Sequence, residues 1–519
     1  MNMANIHLFQ SLKNKILPST NTINQASAPA YAFSAKHKLA QYAATGCLNA
    51  TYYTSAEAQL STVMQLCQEI EPRFIAQTAV YCRERGYMKD MPALLTTVLA
   101  AKSANELTPA FQRVINNGKM LRNFVQILRS GVTGRKSLGT RPKKLVQIWL
   151  NRATEKELLA ASVGNNPSLA DVVKMVHPKP KEAWREAFFA WLIGKNFQVE
   201  ALPPILKAFE AYKADRSQPL PDVPFQMLTS LELSDKDWGK IAMQSGWQMV
   251  RMNLNTFARH QVFAIPGMTQ AIANKLRDAQ AIAKAKVFPY QLMSAFKAAD
   301  EEVPSQVIDA LQDAMEIALA NVPEIAGKIV ICPDVSGSMQ SSVTGYKGSA
   351  TSKVRCIDVA ALVAAAIVRK NPDAMVLPFE QKVVDCKLNS RDSVMSNAAK
   401  LASIGGGGTT CSAPLARLND KKESADLVIY ISDNESWIDA RRHGATATMY
   451  EWNRFKQRNR HAKLVCIDIV PNSSTQACES ADILNVGGFS DEVFKIIAAF
   501  AAGQLGAEHW VGEIAAIDL

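Results

Sequence analysis

Three short stretches of the 519-residue chain gather side chains that could hold a metal ion: Asp334-Val335-Ser336-Gly337-Ser338-Met339, the run Gly405 to Gly408 followed by Thr409, Thr410 and Cys411, and Asp433-Asn434-Glu435. All three are rich in carboxylate and hydroxyl oxygen, the donors of a hard divalent cation, and Mg²⁺ in particular takes an octahedron that waters complete. Neutral hydroxyl ligands leave the ion's charge under-compensated, so an open position could accept a carboxylate from a partner. Gly337 and Gly405 to Gly408 permit close backbone approach. Asp-x-Ser-x-Ser alone is common, and the competing reading is a set of hydroxyl-rich caps and turns. Three such clusters in order, each after the right kind of element, favour the metal.

Those elements follow a change of pattern near residue 325. Residues 328–332, 374–379, 427–432 and 464–470 are short, β-branched, continuously apolar runs, as expected of strands covered on both faces. Helical segments at 357–369, 391–402, 449–460 and 491–500 alternate with them. Alternation of this kind predicts an α/β doubly wound parallel sheet, whose ligands bind beyond the carboxyl ends of the strands. All three oxygen-rich clusters then lie on one rim.

The first 300 residues read differently, with helical periodicity and almost no alternation of period two. Leu145, Ile148, Trp149 and Arg152 predict a helix with Pro142 near its start, and Val307, Leu311, Met315 and Ala318 predict another with Ser305 as N-cap. Prolines such as Pro72, Pro92, Pro109, Pro142 and Pro167 divide the region into helices of roughly 10 to 20 residues. An array of antiparallel helix pairs is expected.

Charge separates the same two regions. Residues 1–300 hold 37 Lys and Arg against 20 Asp and Glu, and residues 301–519 hold 21 against 27, so +17 and −6 make up the net +11. Residues 101–150 carry ten basic side chains against the single acid Glu106, with Arg135, Lys136, Arg141, Lys143 and Lys144 grouped around Gly134, Gly139 and Pro142. Ordinary surfaces intersperse both signs, so this block implies a polyanionic partner. Its side chains and the free N–H groups of a helix start could face a phosphate together.

Apolar residues at 48% and charged residues at 20% are ordinary globular values, and no apolar run approaches a membrane span. The start shows no secretory pattern, so a cytoplasmic protein without membrane partners is expected. Nine scattered cysteines without zinc spacing read as small buried hydrophobes in a reducing compartment. There is no nucleophile elbow, no Walker loop and no His pair at metal spacing, and the chain is expected not to be an enzyme.

The Asp334-x-Ser336-x-Ser338, Thr409 and Asp433 set resembles the metal-ion-dependent adhesion site (MIDAS) of von Willebrand factor A domains, and the basic helical region resembles a TROVE module. Together they are similar to the Ro autoantigen family, in particular its bacterial Ro-related members. The likeness also takes in Thr51-Tyr52-Tyr53 after Gly46, Gly134-Arg135 leading to Trp149-Leu150-Asn151, and His177-Pro178-Lys179-Pro180. The resemblance implies a ring of HEAT-like helical repeats over residues 1–325 and an A domain over 326–519.

It also implies direct metal ligation by Ser336, Ser338 and Thr409, with Asp334 and Asp433 acting through water, and an RNA surface that includes His177. Family members bind small noncoding Y RNAs and single-stranded ends of misfolded RNAs, serving RNA quality control, and in bacteria a Y RNA can tether an exoribonuclease, polynucleotide phosphorylase. Animal members place Lys and Arg upstream of the histidine, where this chain has Ala160 and Gly164 followed by Asn165 and Asn166. Pro333 replaces the usual aliphatic residue before the first Asp. Two functions are therefore expected to compete: an RNA-binding ring carried by the basic half, and a metal-dependent protein adhesion module. A metal nuclease is disfavoured, since two-metal chemistry asks for more carboxylates than Asp334, Asp433 and Glu435.

Overall fold

The computed structural model describes residues 17–46, 49–285, 287, 289–345, 353–438 and 444–519. Packing divides them into two compact units. One contains residues up to Glu69, residues 289–297 and Ala318–Ala516; the other contains Ile70–Val287, Ala298–Ile317 and Ile517–Leu519. This differs from a boundary at 325/326, because the N-terminal segment packs with the sheet.

In the first unit, β3 (Ile329–Pro333), β4 (Met375–Val376), β5 (Leu427–Ser432), β6 (Lys463–Asp468) and β8 (Ile483–Gly487) form a parallel sheet of order β4-β3-β5-β6-β8. Every residue of β3, β5 and β8 is buried, which explains the apolar runs of β3 and β5. Alternate residues of the central strands, Val330 and Cys332, Val428 and Tyr430, Leu464 and Cys466, join one core with Leu415, Trp452 and Phe455. Helix Cys356–Lys370 packs on β3 and β5. Strand order reverses between β3 and β5, and such a switch point opens a crevice at the carboxyl ends. The proline at 333 fits: it ends β3, pairs in register with Ile431, and its carbonyl accepts from Phe379 N–H at 3.1 Å.

The expected elements are present with shifted ends. The strand read at 374–379 shortens to two residues, and the helix read at 391–402 begins at Val394 behind the N-cap Ser393. Sequence reading missed β8, and it missed an antiparallel set, β1 (Thr22–Ile23), β2 (Pro29–Ala32) and β7 (Ser474–Thr475), ordered β1-β2-β7. Tyr31 of β2 enters the sheet's core, and Gln41 of helix Ala35–Thr45 donates from Nε2 to Asp468 at 3.0 Å. The N-terminal segment is thus part of the sheet unit.

The second unit is helical. Helices Pro72–Glu84, Asp90–Lys102 and Ala104–Val114 pack on one another, and Gly118–Arg129 packs on Asp90–Lys102 and on Glu155–Ser162. Gly118 permits that last contact, since a Cβ there would stand 2.1 Å from the Ala161 Cβ. Pro109 lies inside a helix rather than between two. Ser305 is the first residue of helix Ser305–Ala318, and the carbonyl of Pro304 accepts its first N–H bonds, so Ser305 is not the N-cap. Capping boxes at Thr154/Glu157, Ser168/Asp171 and Ser234/Asp237 start three other helices. No helix among the described residues is long and apolar enough to cross a membrane.

Helix Thr140–Arg152, which carries Lys143 and Lys144, is closed by a buried arginine. Arg185 donates from one guanidinium nitrogen to the carbonyls of Leu150 at 2.9 Å and Ala153 at 2.6 Å. A cation there satisfies last-turn carbonyls and suits the negative end of the helix dipole. Arg185→Met should therefore strand two carbonyls and destabilise the chain by about 2 kcal/mol. Guanidinium denaturation followed by tryptophan fluorescence checks this; an unchanged midpoint would refute the capping role.

Candidate metal centre and nucleic-acid interface

The three oxygen-rich clusters converge. Asp334 follows β3 and Asp433 follows the neighbouring β5, and the Asp334 N–H donates to the Ile431 carbonyl at 2.9 Å, extending the ladder past the strand end. The loop bearing Thr409 is tied to both: Gly337 N–H donates to the Gly407 carbonyl at 2.8 Å, and Trp437 N–H donates to the Thr409 carbonyl at 3.2 Å. Gly405 and Gly406 adopt φ of 153° and 123°. A Cβ on Gly407 would meet the Glu380 carboxylate and one on Gly408 would meet Ile438, whereas at Gly337 the nearest atom is 3.4 Å away. A Cβ on Gly405 would also stand 2.8 Å from Gln340 Nε2, so the close approach expected of the glycine run falls at 405, 407 and 408.

Asp334, Ser336, Thr409 and Asp433 are at most 3% exposed and Ser338 is 7%. One Asp334 oxygen accepts from Ser336 N–H at 2.8 Å and the other from Ser432 Oγ at 2.6 Å. Ser336 Oγ and Ser338 Oγ are hydrogen-bonded to each other at 3.4 Å. Burial raises the pKa of Asp334, and the Asp433 charge raises it further; burial raises Asp433 as well. Glu435, pushed up to about 8 by burial and by Asp433, accepts from the Ala26 N–H at 3.1 Å. No lysine or arginine among the described residues neutralises the aspartates. No group of three His, Cys, Asp or Glu forms a metal cluster among them either, so the donor set is carboxylate plus hydroxyl. Buried acids without a counter-charge, beside three hydroxyls, fit a hard divalent cation.

In the helical unit, Arg129, Lys136, Lys143 and Lys144 line an open cleft of about 870 Å³ with Gln147 and Met175, and none of its lining residues is acidic. Gly139, with φ of 71°, precedes helix Thr140–Arg152 without a side-chain cap. The other predicted residues are placed differently. Arg135 donates to the Ala100 carbonyl at 2.6 Å and lies against Gly139, which makes it a brace for the turn. Arg141 is exposed outside the cleft lining. His177 is an exposed left-handed C-cap, its N–H on the Val173 carbonyl at 2.9 Å, and Gln147 of the cleft donates to the Val176 carbonyl at 2.6 Å.

Residues 328–501 match the family model described as the Ro60 vWA domain. The chain is 25% identical to the RNA-binding protein RO60 of Deinococcus radiodurans over 93% of this chain and 95% of that one. It is 19% identical to the RNA-binding protein RO60 of Caenorhabditis elegans over 45% of this chain and 37% of that one. Residues 328–501 thus match a Ro60 vWA domain, and the chain is similar to an RO60 protein along nearly its whole length. The crystal structure of the Deinococcus radiodurans RO (RSR) protein shares the fold, with a TM-score of 0.61 at 20% identity, covering 91% of this chain and all of the other.

Sequence reading missed several residues around these sites. Ser432, which orients Asp334 in the Ro60 vWA domain, was hidden as the last residue of a strand. Lys89 gathers with Lys119, Arg83 and Arg251, and desolvation and then these like charges lower its pKa. Counting charge in a window cannot bring residues 89 and 251 together. Gly164 leaves room for the Arg122 guanidinium, which would meet a Cβ there at 2.4 Å, so an arginine reaches a place where the local sequence has none.

The buried acids give a test in the absence of metal. A carboxyl whose folded pKa lies above its unfolded value destabilises the fold increasingly as pH rises through that interval, and the penalty is complete above the folded pKa. Asp433→Asn should thus raise the melting temperature of the metal-free protein at pH 8 by a few degrees, with little effect at pH 4, while abolishing any stabilisation by Mg²⁺. Calorimetric melts with EDTA and with Mg²⁺ check both signs. A loss of stability at pH 8 without metal would contradict the electrostatic assignment.

Proposed function

We propose that the chain is a non-catalytic RNA-binding scaffold that takes small noncoding Y RNA and single-stranded ends of misfolded RNAs into cytoplasmic RNA quality control. The acid-free cleft of Arg129, Lys136, Lys143 and Lys144 carries this reading. Four exposed or half-buried cations beside an uncapped helix start suit a phosphate backbone, which dominates affinity without specifying sequence. A relative along nearly the whole chain is named an RNA-binding protein, which supports it. A Y RNA held there could tether a 3′-to-5′ exoribonuclease such as polynucleotide phosphorylase, which would supply the chemistry this chain lacks.

At the vWA site, Ser336, Ser338 and Thr409 would hold Mg²⁺, with Asp334 and Asp433 supporting through water. The ion would supply a Lewis-acidic position for a partner's carboxylate. A second reading, metal-dependent protein adhesion, is favoured by Trp437 and Ile438, which are 50% and 41% exposed in the segment that follows Glu435. An acidic protein ligand could contact the ion and this apolar pair at once. The two readings are compatible, since the cleft and the metal residues belong to different units.

Each phosphate neutralised on a single strand contributes about −0.7 to the slope of log affinity against log salt, so Lys136→Gln, Lys143→Gln and Lys144→Gln together should flatten it by roughly 2. Arg135→Gln should lower stability and leave the slope nearly unchanged, because its guanidinium is spent on Ala100. Filter binding of a single-stranded oligonucleotide from 50 to 300 mM salt measures both, and a wild-type slope in the triple variant would reject the cleft.

End-labelled RNA incubated with the protein and Mg²⁺ or Mn²⁺ should remain intact. Cleavage that vanishes in Asp334→Ala would replace the scaffold with a nuclease.

A further inference from the structure

The turn Gly337–Gln340 carries Ser338, and helix Val394–Ala402 leads into the glycine run that ends at Thr409. One guanidinium reaches both. Arg355 donates from Nη1 to Gln340 Oε1 at 2.5 Å and from Nη2 to the Ala402 carbonyl at 3.4 Å. The backbone fixes where that side chain starts, since Cys356 N–H donates to the Ser341 carbonyl at 2.8 Å and Val343 N–H to the Val354 carbonyl at 3.1 Å. Gln340 carries the link across: its Nε2 fills the space over Gly405 that a side chain there would occupy.

A buried acid holds the guanidinium from behind. Asp358, 1% exposed, accepts from Arg355 Nε at 3.2 Å, from Nη2 at 2.8 Å and from the Arg355 N–H at 2.8 Å. Lys297 Nζ lies 2.7 Å from the same carboxylate. Burial would raise the pKa of Asp358, but the hydrogen bonds from Arg355 and Lys297 outweigh it and hold the group below its ordinary value. The anchor is therefore ionised. A planar fork of five N–H donors can serve Asp358, Gln340 and Ala402 together, which the point charge of a lysine cannot.

We propose that Arg355 is a positioning residue of the metal centre: anchored on Asp358, its guanidinium sets the spacing between the Ser338 turn and the Thr409 loop, with Gln340 as the arm that spans them. The inference rests on the metal reading above. Groups beyond the coordination shell typically change metal affinity ten- to a hundredfold, and this fork holds loops rather than ligand atoms, which places it at about tenfold.

The test uses the full chain and Mn²⁺, with the free ion followed by its electron paramagnetic resonance signal. Gln340→Ala removes the arm at an exposed side chain; it should bind Mn²⁺ about tenfold more weakly, with the melting temperature of the metal-free protein unchanged. Arg355→Lys keeps a cation beside Asp358 and loses the fork, with at least the same loss of affinity. Because Gln340 acts through Arg355, the double variant should bind no more weakly than Arg355→Lys alone. Lys297→Met takes the other cation from Asp358 and leaves the fork in place, so it should melt lower and bind Mn²⁺ like wild type. Wild-type affinity in Gln340→Ala, full additivity of the two substitutions, or a loss in Lys297→Met equal to that in Gln340→Ala would each overturn the inference alone. A wild-type chain that takes up no Mn²⁺ would overturn the metal site and the inference with it.

Discussion

Two carboxylates leave neighbouring parallel strands at the same level, and no cationic side chain among the described residues balances them. The register imposes this: Pro333 pairs with Ile431, so Asp334 and the Ser432-Asp433 pair emerge side by side at the switch point of the sheet. Burying like charges together costs several kcal/mol unless protons, hydrogen bonds or an ion compensate. The surroundings are built for that. Backbone N–H groups and Ser432 direct protons at the carboxylates, and the glycine run brings Thr409 close. A site of this kind holds its charge for a ligand and stores repulsion without one.

The helical unit solves the opposite problem. Its cleft cations sit at the surface, where water and salt screen their repulsion, so several can share one face at small cost. Cations that go inward are used on helix ends: Arg185 on Leu150 and Ala153, Arg135 on Ala100. That division matters for function, because only screened, unspent charges can exchange counterions for phosphates. The same basic composition therefore holds two populations with different roles.

Local chemistry made much of this legible in the sequence. Strands buried on both faces announce themselves as apolar runs, and the residues after their ends follow from the topology, so the Asp334, Ser336, Ser338, Thr409 and Asp433 cluster could be placed before any coordinates. Strand β8 was harder, since Asn485 interrupts its apolar run and is satisfied by Thr475, which the sequence cannot pair with it. Arg135 looked like its neighbours because charge says nothing about where a guanidinium points. His177 was ambiguous for the same reason: a left-handed cap and a ligand-facing imidazole have one sequence. Two-residue strands such as β1 and β7 carry too few residues for any periodicity.

Contacts between the N-terminal segment and the sheet lay furthest from sequence reading, and they change what the sheet unit is. A piece covering residues 326–519 would lose Tyr31 from the core, Gln41 from Asp468 and Ala26 from Glu435, leaving buried polar groups unmatched. Joining residues separated by 409 positions, as Ala26 and Glu435 are, costs only about 1.2 kcal/mol more than joining residues a quarter as far apart, because closure entropy grows with the logarithm of length. Such long connections are thermodynamically cheap and kinetically slow. The sheet's own strands all lie beyond residue 328 and can pair first, after which the N-terminal segment supplies the last hydrogen bonds on the rim where the acids are buried.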